Sequence, residues 1–270
     1  MEYRKLGNLD VSVIGLGTLR SFDVTEPADL EPRRQIIDNC LAHGINFIDS
    51  AAMYGASEKA VGITTEGRRD RFYLATKVRI EGKEAGKRQI AESFANFNTD
   101  YIDLLQIHNM IDWQTHLPTL ERLKAEGKVG MIGVTAMVND AYPGVMDVMR
   151  SGRIDTVQVP YNVVQREVEA ELLPLAHELG IGVMVMEPLK KGRYVKELKG
   201  EPDLTPLKGF GVKTWAQALL SWVVSDPRVS ITIPATSRPE RITENALSGA
   251  LETMPQELRD FVREETVRLL

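Results

Sequence analysis

The chain has 270 residues, 43% hydrophobic and 26% charged, which is an ordinary composition for a soluble globular protein. The formal net charge of −5 gives no electrostatic signature for nucleic-acid binding, and no apolar run approaches the roughly 18 residues of a membrane-spanning helix. The first residues lack the apolar region of a secretion signal, and the single cysteine, Cys40, cannot form an internal disulfide. We therefore expect a cytoplasmic protein in which Cys40 is buried.

Strand-like and helix-like segments alternate along the chain. The predicted strands cover residues 11–17, a segment ending at 49, and then 72–77, 102–108, 129–135, 156–161, 182–187 and 230–235. The predicted helices cover residues 32–43, a segment starting near 57, and then 87–98, 116–126, 141–150, 169–179, 215–225, 239–247 and 255–270. Successive strand ends are separated by roughly 30 residues, the length of one βα unit.

Eight strands, each followed by a helix, predict an α/β protein built as a single (β/α)8 TIM barrel domain over residues 1–270. Residues 3–11 resemble a β-hairpin that turns at Gly7 and Asn8 and would plug the bottom of the barrel. Residues 190–213 contain too much glycine and proline for a helix. They predict a long loop after the seventh strand, of the kind that folds over a ligand.

Three polar residues, Asp49, Lys77 and His108, fall at the ends of the second, third and fourth predicted strands, and Tyr54 follows Asp49 closely. In a parallel barrel these strand ends meet on the face that carries the chemistry. An ammonium beside a phenol lowers the phenol pKa, a carboxylate holds the lysine, and a histidine can donate a hydrogen bond to a neighbouring oxygen. Together they form a general acid suited to protonating a carbonyl oxygen.

Each of these residues also has a purely structural explanation when taken alone. An aspartate at a strand end is often a turn or cap residue, and a tyrosine before glycine is often a packing residue. A lysine at such a position can be solvated, and a histidine can be a hydrogen-bonded core residue. Four such residues on adjacent strand ends favour the catalytic interpretation.

The chain also resembles the aldo-keto reductase family over nearly its whole length. The resemblance rests on five stretches in order: Ile14-Gly15-Leu16-Gly17-Thr18, Phe47-Ile48-Asp49-Ser50-Ala51 with Tyr54-Gly55, Ala75-Thr76-Lys77, Asp100 to His108, and Ile233 to Glu240. It implies a barrel that binds NADP(H) without a Rossmann fold, and the sequence has no Gly-x-Gly-x-x-Gly motif opening a helix after a strand. It also implies that Asp49, Tyr54, Lys77 and His108 form a catalytic tetrad, with Tyr54 as the proton donor.

The resemblance further implies a set of cofactor contacts. Gln158 matches the residue that binds the nicotinamide carboxamide, whereas Thr135-Ala136 replaces a serine–asparagine pair and Met186 replaces an aromatic ring under the nicotinamide. The residues expected to contact NADP(H) are Gly17, Thr18, Thr135, Gln158, Met186, Pro188, Leu189, Ala235, Thr236, Ser237, Arg238, Arg241, Glu244 and Asn245.

The phosphate end of this cofactor site is predicted at the start of the helix at residues 239–247. Ser237 and Glu240 have the spacing of a capping box, with Ser237 as the N-cap. The helix start supplies free N–H groups, and Arg238 and Arg241 add planar donors suited to a phosphate. The resemblance places the 2′-phosphate of NADPH there and Asn245 near the adenine, so we expect NADPH rather than NADH.

The substrate pocket is less specified. Loop residues that could line it are Leu19, Arg20, Met53, Asn109, Trp113 and Met137, and the chain ends in a helix without a covering C-terminal loop. The leading hypothesis is reduction of a small aldehyde or ketone, or the reverse oxidation of an alcohol, without a nucleic-acid or membrane partner. The oligomeric state cannot be read from the sequence.

Three alternatives remain. The first is an NADPH-binding regulatory subunit with slow turnover, resembling potassium-channel β subunits. The second is a Schiff-base aldolase with Lys77 as the nucleophile, although this leaves the adjacent aspartate and the arginine pair unexplained. The third is a metal-dependent hydrolase, which the four histidines do not support with a plausible ligand cluster. We therefore predict no metal site.

Overall fold

The computed structural model describes all residues 1–270, and it begins with a β-hairpin. Strand β1 (Tyr3–Leu6) pairs antiparallel with β2 (Leu9–Ser12), and Gly7 occupies the turn with a φ of 56°. The predicted hairpin is confirmed. The predicted strand at residues 11–17 is wrong in its first half, because Val11 pairs with Arg4 of the hairpin instead of with a strand of the barrel.

Eight further strands form one parallel sheet in which every strand pairs with its neighbours in sequence order. These strands are β3 (Leu16–Gly17), β4 (Phe47–Asp49), β5 (Tyr73–Val78), β6 (Ile102–Ile107), β7 (Val129–Thr135), β8 (Thr156–Pro160), β9 (Gly182–Met186) and β10 (Ile231–Thr232). Two isolated parallel bridges, Ile14 with Thr232 and Gly17 with Ala235, join the two ends of the sheet. We call this junction the seam. The predicted (β/α)8 barrel is confirmed.

The helices surround this sheet. They are α1 (Pro27–Ala42), α2 (Ser57–Thr64), α3 (Lys83–Phe97), α4 (Trp113–Ala125), α5 (Tyr142–Arg150), α6 (Leu172–Leu179), α7 (Arg193–Lys196), α8 (Trp215–Val224), α9 (Pro239–Ser248) and α10 (Gln256–Leu269). Helix α1 starts five residues earlier than predicted, because Pro27 takes the first-turn position that the sequence had suggested for Pro32. None of the helices is both long and apolar enough to cross a lipid bilayer.

Buried apolar side chains form two clusters. The larger one, of 59 residues, lies between the strands and the helices and includes Cys40, as expected. The smaller one lies inside the barrel and consists of Leu6, Val11, Phe47, Ala75, Leu104, Met131, Met184, Ile231 and Ile233. Because Leu6 and Val11 come from the hairpin, the hairpin closes the bottom of the barrel and leaves the other end for the polar strand-end residues.

The segment at residues 190–213 differs from the long loop that was predicted. It contains a 3-10 turn at Lys190–Gly192, helix α7 and a second 3-10 turn at Thr205–Phe210. The Lys199 N–H donates to the Leu269 carbonyl at 2.7 Å, and the Asp203 N–H donates to Glu265 Oε1 at 2.9 Å. These bonds fasten the middle of the segment to α10.

Candidate active site

A buried ion pair lies at the centre of the open end of the barrel. Lys77 Nζ is 2.6 Å from Asp49 Oδ2 and also donates to the Ser50 carbonyl at 2.7 Å. The Lys77 and Asp49 side chains are only 1% and 3% exposed. Burial by itself would lower the pKa of Lys77, but the Asp49 carboxylate and the Tyr54 phenol beside it raise that pKa above its ordinary value. Lys77 is therefore a fixed positive charge.

Tyr54 and His108 pack directly against this pair. Lys77 Nζ lies 5.3 Å from the centroid of the Tyr54 ring. The Tyr54 and His108 rings meet edge to face, with centroids 6.0 Å apart and an interplanar angle of 83°. The structure thus brings together the four side chains that the sequence placed on neighbouring strand ends.

Burial has the largest effect on the pKa values of Tyr54 and His108. Burial raises the pKa of Tyr54, and the opposing effect of Lys77 is smaller. The expected lowering of the Tyr54 pKa is therefore wrong for the protein without ligands. Burial, and then the charges of Lys77 and Arg79, lower the pKa of His108 to about 3. Near neutral pH the site holds a protonated phenol beside an uncharged imidazole whose buried Nδ1 has no hydrogen-bond partner.

One polar residue that sequence reasoning missed supports the ion pair, because Gln106 Nε2 donates to Asp49 Oδ1 at 3.4 Å. A separate buried contact lies nearby, where the Thr76 hydroxyl donates to Oε1 of Glu58 at 2.5 Å. Side chains two residues apart on a strand share one face. The position of Gln106, two residues before His108, was therefore the signal that would have identified it.

The residues expected near a nicotinamide lie on the next strands around the barrel. Gln158 is in register with Thr135 and Met184, it is buried, and its Oε1 has no hydrogen-bond partner. The Thr135 hydroxyl accepts from the Asn109 N–H at 2.9 Å, so it is already engaged within the protein. Met186 is half-buried against the cluster inside the barrel.

The start of α9 differs from the predicted capping box. Arg238, not Ser237, occupies the N-cap position, and Thr236 Oγ1 accepts from the Arg238 N–H at 3.1 Å. The shift arises because Pro239 takes the first helical position, which suits its fixed φ and its missing N–H group. No side chain caps the first turn, so its N–H groups stay available to an anion.

The two arginines at this helix are in different states. The Arg238 side chain is exposed and makes no hydrogen bond or ion pair. The Arg241 side chain pairs with Glu244, whose other oxygen accepts from the Thr214 hydroxyl at 2.6 Å. Arg238 is therefore the freer cation, while Asn245 is buried on the same helix.

A second group of charges follows β9, where Pro188 and Leu189 were predicted as cofactor contacts. The Glu187 carboxylate pairs with Lys190 at 2.9 Å and Lys191 at 3.0 Å. The backbone of Glu187 and both lysines has positive φ, which is uncommon outside glycine. The two consecutive lysines just after a strand end were the sequence signal for this cationic loop.

The remaining cofactor candidates lie at the seam. Gly17 and Ala235 form one of its two bridges. A side chain at Gly17 would meet the Ile233 carbonyl, since an added Cβ would come within 2.6 Å of it. The Thr18 hydroxyl donates to the Asp49 carbonyl at 3.0 Å, which links the seam to the buried ion pair.

The mouth of the barrel is lined by apolar side chains. Five of the exposed large hydrophobic residues lie in the segments that follow barrel strands: Leu19, Met53, Ile80, Val138 and Val164. Of the other predicted pocket residues, Arg20 is exposed, Asn109 and Met137 are half-buried after β6 and β7, and the half-buried Trp113 is the first residue of α4. The side chains predicted to line a pocket therefore share the face that carries the buried ion pair.

Comparison with known proteins agrees with this geometry. An aldo-keto reductase from Klebsiella pneumoniae, solved in complex with NADPH, is 29% identical over 98% of this chain and 95% of its own, with a TM-score of 0.85. The methylglyoxal reductase YeaE of Escherichia coli is 29% identical over 80% of this chain and 78% of its own length. The NADH-specific methylglyoxal reductase of Escherichia coli is 28% identical over all of this chain and 95% of its own. Because the family model also matches residues 13–262, the chain belongs to the Aldo/keto reductase family.

Proposed function

We propose that this protein reduces the carbonyl group of an aldehyde or ketone with NADPH, and that Tyr54 donates the proton. The observation that carries the proposal is the buried Lys77–Asp49 pair packed against Tyr54 and His108. A fixed positive charge stabilises the phenolate that remains after a phenol gives up its proton. The apolar mouth of the barrel suits a small organic substrate.

The chain offers groups that fit the cofactor. The partnerless Oε1 of Gln158 can accept a hydrogen bond from a carboxamide, and the uncapped start of α9 with the unpaired Arg238 suits a phosphate. Lys190 and Lys191 supply further positive charge at the end of β9. When bound there, NADPH supplies a hydride for the carbonyl carbon.

The roles of the four central residues follow from their protonation. Tyr54 keeps its proton until a carbonyl oxygen develops negative charge, and it then transfers that proton to the oxygen. The neutral His108 can donate a hydrogen bond to the same oxygen, which orients it towards Tyr54. Lys77 stabilises the phenolate that forms, and Asp49 keeps Lys77 in place.

Titration of the purified protein with NADPH and with NADH, followed by a panel of simple aldehydes, tests the function. We expect tighter binding of NADPH and its oxidation by the aldehydes. Both cofactors need to be measured, because one relative of similar identity is named as NADH-specific. Tight binding without turnover would instead support a regulatory NADPH-binding subunit, and absence of binding would refute the proposal.

Replacement of Tyr54 by phenylalanine tests the proton donor. The Tyr54→Phe variant keeps the ring that packs near Lys77 and His108 but lacks the transferable proton. We expect NADPH binding to persist while kcat falls by about 10²–10⁴-fold, the usual contribution of a general acid. Tyr101→Phe is the matched control, because Tyr101 lies next to the start of β6 at the opposite end of the barrel. Unchanged turnover in Tyr54→Phe would refute this role.

Two further expectations belong to the same proposal. We propose that residues 1–270 act as one domain, since the larger apolar cluster draws on residues from Val13 to Val262. A cytoplasmic location stays a prediction, supported by Cys40 being free and buried. The substrate is a small carbonyl compound or the corresponding alcohol.

A further inference from the structure

Arg79 and His108 directly follow two neighbouring strands at the mouth of the barrel. Strands β5 and β6 are paired in parallel register, with Lys77 opposite Gln106 and Val78 opposite Ile107. One residue further along each strand come Arg79 and His108. Arg79 is also two residues beyond Lys77 and is the first residue after β5, so it lies at the rim above the buried ion pair.

The main chain of Arg79 is fixed, whereas its side chain is free. Its N–H donates to Gln89 Oε1 at 2.6 Å, and its carbonyl accepts from Gln89 Nε2 at 3.5 Å. Its side chain is exposed and makes neither a hydrogen bond nor an ion pair, even though the exposed Glu81 is only two residues away. Arg79 therefore has an unpaired guanidinium on a main chain that is fixed by hydrogen bonds.

The charge of Arg79 reaches the reaction site. Together with Lys77, and after burial, Arg79 lowers the pKa of His108. Two exposed apolar residues follow the same and the neighbouring strand, Ile80 directly after Arg79 and Met53 in the loop after β4. An unpaired cation near exposed apolar side chains is suited to a ligand that has an apolar body and one negative group.

Arg79 follows a strand that does not adjoin the strands of the proposed phosphate sites. In a ring of eight strands, β5 and β9 are separated by three strands in either direction. Lys190 and Lys191 follow β9, and Arg238 follows β10. Arg79 is therefore across the mouth from Lys190 and Lys191, and two strands, β3 and β4, separate its strand from the β10 end that leads to Arg238.

We propose that Arg79 binds a carboxylate of the substrate, so that the preferred substrates of this enzyme are oxo acids, aldehydes or ketones that carry a carboxylate a few bonds from the carbonyl. The proposal rests on the reductase function proposed above and adds the substrate class. With the carbonyl oxygen at Tyr54 and His108, the carboxylate extends towards the neighbouring strand end and pairs with the planar guanidinium.

Paired aldehydes test the substrate class. With NADPH present, kcat/KM is measured for 4-oxobutanoate and for pentanal, an uncharged aldehyde of similar length. We expect 4-oxobutanoate to be preferred about tenfold, which corresponds to about 1.4 kcal/mol. The ratio of the two values should fall to about one in Arg79→Gln, and Arg79→Lys should retain part of it because the charge remains without the planar fork. Added salt should reduce the preference of the native enzyme.

Arg88→Gln is the matched control, because it removes one exposed arginine from α3 on the outside of the barrel. It should retain the preference for 4-oxobutanoate. Equal losses for both aldehydes in Arg79→Gln would overturn the proposal. Loss of the preference in Arg20→Gln with its retention in Arg79→Gln would also overturn it. The proposal would also be overturned if the native enzyme reduced pentanal as well as 4-oxobutanoate, and in that case the reductase function would still stand.

Calorimetric titration with butanoate separates substrate recognition from turnover. Butanoate has the carboxylate but no carbonyl, and it is titrated into the protein loaded with NADP⁺. We expect the native protein to bind it about tenfold more tightly than Arg79→Gln does. Equal affinities would overturn the role of Arg79. If no aldehyde is reduced and this difference is still found, the reductase function fails while carboxylate binding by Arg79 stands.

Discussion

Replacing Asp49 with asparagine should strongly destabilise the fold, because it leaves the Lys77 ammonium buried without its counter-charge. The two side chains are almost completely buried, and their charged atoms are 2.6 Å apart. Removing one partner of a buried ion pair costs about 3–5 kcal/mol. Because the stability of a whole domain is about 5–15 kcal/mol, we expect a large fall in the free energy of unfolding of Asp49→Asn.

The double variant Asp49→Asn/Lys77→Met is the matched control for this prediction. It leaves no charge in the buried site, so it should be more stable than Asp49→Asn alone. Urea unfolding followed by tryptophan fluorescence measures the free energies, since Trp222 is buried in the core. A loss below about 1 kcal/mol, the value of an exposed ion pair, would refute the reasoning, and so would a double variant no more stable than the single one.

The same pair sets the pH dependence of stability. In the native protein the pKa of Lys77 is raised, so its contribution is complete below the unfolded value of about 10.4 and is lost as pH rises through the folded value. In Asp49→Asn we expect burial to lower the pKa of Lys77. The unfolded state then binds more protons, and the destabilisation should shrink as pH rises towards about 10.4.

Two further predictions concern the cofactor site and His108. Arg238→Ala should weaken the binding of NADPH more than the binding of NADH, by about 1.5–3 kcal/mol, the value of a hydrogen bond to a charged group. Arg241→Ala should have a smaller effect on NADPH binding, because Arg241 is already paired with Glu244. Equal losses of affinity for both cofactors in fluorescence titrations would place the phosphate site elsewhere. Because the pKa of His108 is lowered to about 3, stability should fall as pH drops from about 6.5 towards 3, and His108→Gln should show a smaller fall between pH 7 and 5 in urea unfolding than the native protein.

The positions of the central residues were predictable because they depend on local pattern and topology. Asp49, Lys77 and His108 each end a short apolar segment, and parallel strands bring such ends to one face. Gln106 could have been added by the same rule, since it lies two residues before His108 and therefore on the same face of the strand. The hairpin was also recognisable, but Val11 was assigned to the wrong strand because a continuous apolar run does not show where one strand ends and the next begins.

The states of the side chains could not be predicted because they depend on residues far apart in the chain. The pKa of Tyr54 is raised because burial outweighs the charge of Lys77, and the degree of burial follows from the complete packing. Arg241 pairs with a carboxylate that Thr214 also holds, a contact across 30 residues. The N-cap of α9 moved from Ser237 to Arg238 because proline chemistry overrode the capping pattern.

The seam makes the barrel an unequal ring. Strands β6 and β7 share five register pairs, whereas the two ends of the sheet are joined by only two isolated bridges. If the barrel opens by thermal motion, we expect it to open in this part of the ring, because the adjoining β3–β4 and β9–β10 pairings are also limited to two register pairs each. A ligand that contacts both Gly17 and Ala235 would bind across the seam. Because it would bind the closed barrel and not the open one, ligand binding would stabilise the closed barrel.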